Sequence, residues 1–232
     1  MQYREVMGRL REMGTAQNVK IYQRHGAGSK LYGVSTANLK KLQKAIKTDH
    51  GLARSLWKSG NMDARVLGLM VADPEQLTLR EAESWLADID YYGLSNYLGG
   101  LVARTSFGEK AFRKWSVSRR EYFQHCAWDV LGTMLKNGHS FEKDALHGIL
   151  ETIGKRIHQS PNRARSAMNN AVICIGTYGA GMKTAAIRAA RQIGPVEVDR
   201  GDTSCKTPDA IAAIEKAYAW RMAKQKKARS RA

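Results

Sequence analysis

Apolar residues recur three and four positions apart along most of this chain, and that period is the strongest constraint on its fold. Leu39, Leu42, Ala45 and Ile46 share one stripe, with Lys40, Lys41, Lys44 and Lys47 elsewhere on the same helix. Leu94, Leu98, Leu101 and Val102 follow the same rule, as do Leu146, Ile149, Leu150, Ile153 and Ile157. Start signals recur between the stripes. Thr78–Glu81, Ser106–Glu109 and Ser118–Glu121 each read as a capping box. Ser160-Pro161 and Thr207-Pro208 place a cap residue before a proline, and Asp49 and Asn61 are further caps. Only Val196-Glu197-Val198 alternates as a strand would, and it is too short to build a sheet. The chain therefore reads as all-α, with about ten to twelve helices joined by short breaks. Helices paired in this rhythm form an α-solenoid, with a compact bundle as the alternative.

Composition supports one soluble globular chain. It has 232 residues, 43% of them hydrophobic and 25% charged, which excludes a disordered or collagen-like polymer. No uninterrupted apolar window is long enough for a membrane span. Cys126, Cys174 and Cys205 are odd in number and far apart, against a disulfide framework or a zinc site. The N-terminal residues carry no apolar signal region, and the expected location is the cytoplasm. A single domain over residues 1–220 is expected, with 221–232 as a basic, disordered tail, in a monomer.

Charge gives the first functional indication. The formal net charge is +17, from 38 Lys and Arg against 21 Asp and Glu. The last seventeen residues hold seven of the cations and no acid, yet the remainder stays basic. A polyanion such as nucleic acid fits that balance, and a solvated basic surface is the plain alternative. From Thr152 to Val196 there is no Asp or Glu, while Lys155, Arg156, Arg163, Arg165, Lys183, Arg188 and Arg191 all fall in that span. In its central helix Met168, Ala171, Val172 and Ile175 form an apolar face, and Arg163, Ser166 and Asn170 a separate stripe. With Asn169, these cations and amides are the candidate phosphate contacts. Asp73 to Asp90, by contrast, holds six acids and one Arg. The expected surface is therefore polarised.

Three stretches carry a family resemblance. Tyr32-Gly33-Val34-Ser35 leads into Leu39-Lys40-Lys41-Leu42. Ala53-Arg54-Ser55-Leu56-Trp57-Lys58-Ser59-Gly60-Asn61-Met62-Asp63-Ala64-Arg65 follows, and then Trp85-Leu86-Ala87-Asp88-Ile89-Asp90. In this order they resemble the AlkD-type DNA alkylation repair proteins, HEAT-like helical-repeat DNA glycosylases, over about residues 32–193. The resemblance implies a curved stack of HEAT/ARM-like helix pairs with a basic concave face that holds duplex DNA. It implies hydrolysis of the N-glycosidic bond of N3- and N7-alkylated purines, with no metal or organic cofactor.

The family's site residues are not retained. Its aromatic-Asp-x-x-Asp motif is matched by Tyr92-Gly93-Leu94-Ser95-Asn96, so Asn96 stands where the resemblance places the catalytic carboxylate, and Tyr92 where it places a Trp. Its Trp-Leu-x-Arg-Ala-Ala pattern meets Tyr122-Phe123-Gln124-His125-Cys126-Ala127, so His125 replaces Arg. Its Lys-Ala-x-x-Trp meets Asn170-Ala171-Val172-Ile173-Cys174, so Cys174 replaces Trp. Cleaving a bond to a cationic purine leaves positive charge on the sugar, and an adjacent anion stabilises it. Asn96 keeps the shape without the charge, and loss of one such group costs about a hundred- to a thousandfold in rate. Asp129, one turn from His125, can hold that ring protonated, or be an ordinary neighbour. Tyr91 and Tyr92 can stack on a sugar or base, or pack in the core. Trp57, Trp85, Trp115 and Trp128 read as core, and Trp220 as an anchor for the basic end.

A polar loop, Asp199-Arg200-Gly201-Asp202-Thr203-Ser204-Cys205-Lys206-Thr207-Pro208-Asp209, precedes the last helix. Asp199, Asp202, Cys205 and Lys206 form either a branch-specific site or a set of backbone partners for the loop. Three functions are open at this point. The first is a DNA-binding protein of the repair family, recognising duplex, damaged or branched DNA, with weak or absent glycosylase activity. The second is an active glycosylase using displaced groups, and the third a scaffold for an acidic protein partner.

Overall fold

The computed structural model describes the backbone of residues 1–229 and side chains through residue 224. Among the described residues the chain is all-α, with thirteen α-helices and one short 3-10 turn. They are α1 (Tyr3–Met13), α2 (Ala16–Arg24), α3 (Thr36–Ile46), α4 (His50–Lys58), α5 (Met62–Val71), α6 (Leu79–Ala87) and α7 (Tyr92–Val102). Then follow α8 (Gly108–Trp115), α9 (Glu121–Lys136), α10 (Lys143–Arg156), α11 (Asn162–Tyr178), α12 (Lys183–Ile193) and α13 (Ala210–Arg229). No strand occurs among the described residues, and the only ladder contact there is an isolated bridge between Gly14 and Val34. The Val196–Val198 segment is irregular. No described helix is long and apolar enough to cross a membrane.

The helices group into two compact units. One comprises residues 1–111 with 200–205, the other residues 112–199 with 206–232. In the first, α4 packs along α5, and α5 also meets α3 and α7. In the second, α11 packs against α9, α12 and α13, while α10 lies on α12. Helix α13 runs unbroken through residue 220, so the tail expected from 221 continues as helix to Arg229. Residues 230–232 lie outside the described residues.

Most stripe positions bury as their spacing requires, but Ala45 is exposed and Ile46 and Ile149 are half-buried. Leu39 and Leu42, Leu94, Leu98, Leu101 and Val102, and Leu146, Leu150, Ile153 and Ile157 are all core. So are Met168, Ala171, Val172 and Ile175, and the four tryptophans other than Trp220. Each buried Leu, Ile or Val side chain contributes about 1.5–3 kcal/mol, measured against an extended chain. Caps explain several starts. Asp49, Asn61 and Thr78 accept the backbone N–H groups of Leu52, Ala64 and Glu81. Three expected starts move. Ser118 Oγ accepts from Arg120 N and α9 begins only at Glu121. Pro161, rather than Ser160, precedes α11, because Ser160 donates back to the Arg156 carbonyl. Asp209, rather than Thr207, caps α13 by accepting from Ala212 N at 2.8 Å.

The first unit turns on a buried carboxylate. Asp63, in the first turn of α5 and 1% exposed, accepts three consecutive backbone N–H groups. These are Tyr32 at 2.6 Å, Gly33 at 3.0 Å and Val34 at 2.9 Å. The Gly-Val element quoted above is thus a backbone nest closed on Asp63. Gly33 sits at φ 78°, and a Cβ there would meet Val19 N at 2.7 Å, so only glycine fits. Tyr22 O–H donates to the Val34 carbonyl at 2.8 Å from the other side. Burial pushes the Asp63 carboxyl above its ordinary range, against the pull of the three donors.

Asp63→Ala strands those donors in the interior, at about 1 kcal/mol or more each. We expect a loss of about 3 kcal/mol, read as a fall of roughly 6–12 °C in melting temperature for a chain of this size. Asp63→Asn keeps one acceptor oxygen and should lose less. Melts of the two variants that coincide with wild type would refute this role.

Candidate nucleic-acid interface

In the first unit, Tyr92 and Asn96 stand one turn apart on α7. Tyr91 precedes the helix and is buried, its ring folded over Gly93, where a Cβ would overlap it. Tyr92 is half-buried and tilted against Tyr91 at 4.9 Å between centroids. Its hydroxyl reaches His25 Nδ1 at 3.5 Å, a partner that no sequence spacing announced. Asn96 is exposed. The Asn96 side chain is therefore open to solvent, and it is uncharged.

In the second unit, His125 lies on α9 where that helix packs on α11. It is 5% exposed, with Nε2 3.4 Å from Asp129 Oδ2. The expectation that Asp129 keeps the ring protonated is overturned. Burial, with the Arg163 charge adding to it, drives His125 from 6.5 down to about 3. Burial also raises the Asp129 carboxyl to about 7. Burial thus favours the neutral form of each group, because water is too remote to support separated charges. Cys174, on α11, approaches α9 at Gly132, where a Cβ would meet its sulfur at 3.1 Å. Burial, with the Asp129 charge, pushes that thiol to about 11, so it is no thiolate.

The candidate phosphate contacts differ in exposure and in partners. Arg163 is half-buried at the start of α11, its backbone N–H donating to Glu121 Oε1 at 2.6 Å. Arg165 is half-buried, with Nε inside the protein. Asn169 is corrected as a contact: it is 4% exposed, and its amide donates to the Pro208 carbonyl at 3.0 Å. Asn170, the next residue, is exposed. Arg156 is half-buried and donates to the Ser116 carbonyl at 3.4 Å. The Lys183 ammonium stands 4.7 Å over the Tyr218 ring.

The cations left on the surface are Lys155, Arg188 and Arg191. Lys155 and Arg188 line a cleft of about 530 Å³ between α10 and α12, together with His147, Glu151 and Gln192. His147 and Gln192 were missed in sequence. The spacing of 147, 151 and 155 on α10 was the available signal, since it puts them on one stripe. Arg191 borders a second cavity of about 320 Å³, beside Asn169 and the start of α13.

The polar loop contributes residues to both units. Residues 200–205, with Asp202 and Cys205, belong to the first unit, while Asp199 and Lys206 belong to the second. Asp202, Cys205 and Lys206 are exposed. Thr203 does the turn's local work: its N–H donates to the Gly201 carbonyl at 2.7 Å and its hydroxyl to the Arg200 carbonyl at 3.0 Å. Gly201 has a positive φ, 60°. Asp199 is held through its backbone, giving and receiving hydrogen bonds of 2.7 Å with the Asn162 side chain.

Paired helices with this set of positions define an all-helical protein of the HEAT-like repeat class. A family model described as DNA alkylation repair enzyme matches residues 6–214, and the chain belongs to that family. It is 29% identical over 214 residues to the uncharacterized protein Lin0241 of Listeria innocua, covering 90% of this chain and 93% of that protein. It is 28% identical, with the same coverage, to the uncharacterized protein Lmo0209 of Listeria monocytogenes. A solved structure matches with a TM-score of 0.87 and 28% identity over 93% of both chains. That structure is described as "a new family of proteins related to the HEAT-like repeat DNA glycosylases with affinity for branched DNA structures".

The two opposed shifts have a measurable consequence. Asp129's raised pKa contributes stability that is present below the ordinary carboxyl range and lost as pH rises through about 7. His125's depressed pKa contributes stability present above 6.5 and lost as pH falls toward about 3. Between roughly pH 4 and 6.5 the unfolded chain carries one proton on His125 and the folded chain one on Asp129. The pair is therefore silent in that window. Asp129→Asn removes the folded-state proton, so the variant should lose up to about 1.4 kcal/mol per pH unit on acidification below 6.5, relative to wild type. Unfolding curves at pH 4.5, 5.5 and 6.5 that stay parallel for the two proteins would exclude a neutral His125 beside a protonated Asp129.

Proposed function

We propose that this protein binds DNA, including branched DNA, through the cations of its second unit, and that its N-glycosylase activity is weak or absent. The observation carrying the binding half is the placement of Lys155, Arg188 and Arg191. They are exposed within a stretch free of acidic residues and have no ion pair among the described residues. Glu151 is the one carboxylate lining the cleft with Lys155 and Arg188. Such cations neutralise phosphates and release counterions, which supplies affinity independent of sequence. The relative described as having affinity for branched DNA supports the choice of polyanion. Arg163 and Arg165, half-buried on α11, suit a positioning role more than a point contact on phosphate.

The catalytic half rests on Asn96. It is solvent-exposed at the position where the family uses a carboxylate, and it brings neither a negative charge nor a base to a developing oxocarbenium ion. His125 is neutral and buried, so it replaces neither the lost anion nor a phosphate-binding Arg. A displaced site in the polar loop has little support, because Asp202, Cys205 and Lys206 are all exposed to solvent.

Two measurements test the reading. Changing Lys155, Arg188 and Arg191 together to Ala should weaken binding of branched DNA at least tenfold. It should also reduce the log–log salt slope by about one unit for each phosphate that is no longer neutralised. Unchanged affinity would remove the binding assignment. On DNA carrying a cationic methylated purine, the natural protein should release base no faster than spontaneous depurination, and Asn96→Asp should raise the rate. Rapid release by the natural chain would instead establish an active glycosylase.

A further inference from the structure

We propose that the outer face of α13 is a stacking platform for an unpaired DNA base, with Trp220 as the platform and Lys216 and Lys224 as its phosphate contacts. This rests on the DNA-binding reading above and adds to it a site on an element that reading does not use. Trp220 is 64% exposed, whereas the other four tryptophans are 5% exposed or less. An indole left in water forgoes the burial that the same side chain gains elsewhere in this chain, and its ring is accessible to a ligand. Lys216, Trp220 and Lys224 follow one another at four-residue spacing, which sets them along one stripe of the helix. All three are exposed, and Lys224 Nζ lies 5.2 Å from the indole centroid.

The opposite face fixes this orientation. Ile214 is fully buried, and Lys183 covers the Tyr218 ring. Arg221 stacks over Tyr178 at 5.5 Å and donates to the Thr177 carbonyl at 2.7 Å. With these groups docked, α13 cannot roll to hide Trp220 in the core. From Lys216 to the end of the chain the sequence has seven cations and no acid, so the stripe favours a polyanion. An exposed indole between cations one turn away on either side matches the chemistry of single-strand binding, where bases stack and phosphates pair with Lys or Arg. Bases inside a duplex are already stacked on each other and cannot use the ring. The platform therefore selects DNA with unpaired nucleotides, such as the arms of a fork.

The test compares the full chain, Trp220→Ala and Trp220→Phe on two labelled DNAs, a fork with single-stranded arms and a blunt duplex of equal length. Wild type should bind both, and bind the fork more tightly. Trp220→Ala should weaken fork binding about tenfold with little effect on the duplex, and Trp220→Phe should recover most of the loss. Iodide-quenchable tryptophan emission, which comes mainly from Trp220, should become protected on adding the fork and not the duplex. Trp220→Ala binding the fork as tightly as wild type, or losing equally on both DNAs, overturns the platform and leaves the cation-based reading intact. Wild type that binds neither DNA overturns both.

Discussion

A helix with a single apolar stripe has one way to bury it, which is to lie against another helix, and everything else in this protein follows from repeating that solution. The second unit shows it plainly. α11 presents Ala164, Ala167, Met168, Ala171, Val172 and Ile175 to its neighbours, and all of them are buried. Small residues at such contacts let helices approach closely, as Gly132 does against Cys174. Packing consumes one face of each helix and leaves the other for charge. A chain built this way acquires polar rows without designing a cleft, so function can reside in the sign and spacing of the rows. The first unit adds a different device, since the segment around Gly33 has no stripe. There the backbone itself must be satisfied, and Asp63 does it with one carboxylate on three N–H groups.

Apolar period was the reliable part of the sequence, because burial is set by the side chain and its place on the helix. Leu98, Leu131 or Ile153 has no competing option. Caps were less legible, because a hydroxyl has several backbone groups within reach. Asp49, Asn61 and Thr78 cap as expected, but Ser118 closes its own turn and Ser160 bonds back to Arg156. The nest on Asp63 was written in the Tyr-Gly-Val and Met-Asp-Ala elements, yet nothing local says that residues thirty positions apart meet. The charge pattern misled in a specific way. The acid-free stretch is real, but Arg156 and Lys183 are engaged by a carbonyl and a ring, and Asn169 by Pro208. Sequence shows how many cations there are and not which ones face water.

The α9–α11 contact illustrates why a conservative-looking exchange of charge is not neutral. An Arg cannot give up its proton, so it must keep its charge wherever it sits. His125 can, and in a site 5% exposed it does. The proton it declines is held by Asp129, whose carboxyl rises to about 7. The pair thus satisfies the interior by neutralising itself, where an Arg–Asp pair would require two buried charges and excellent geometry. A neutral ring behind a helix contact has no long-range pull on phosphate. In the proposed interface the cation role falls to residues that remain solvated, Lys155, Arg188 and Arg191.

Affinity and chemistry then separate for a physical reason. Binding a polyanion needs several solvated cations at tolerant spacing, and their contributions survive modest displacement because the attraction falls off slowly over a screening length. Bond cleavage needs one anion held within a fraction of an ångström of a developing positive charge, and its contribution vanishes when that single side chain becomes neutral. On the proposed reading, Asn96 removes the second requirement without touching the first. A chain of stacked helices can then lose catalysis and keep a hold on DNA, because the two depend on different side chains. What decides the fate of such a branch is whether it gains a feature that distinguishes one DNA shape from another, and an exposed indole on a basic helix can do that by stacking alone.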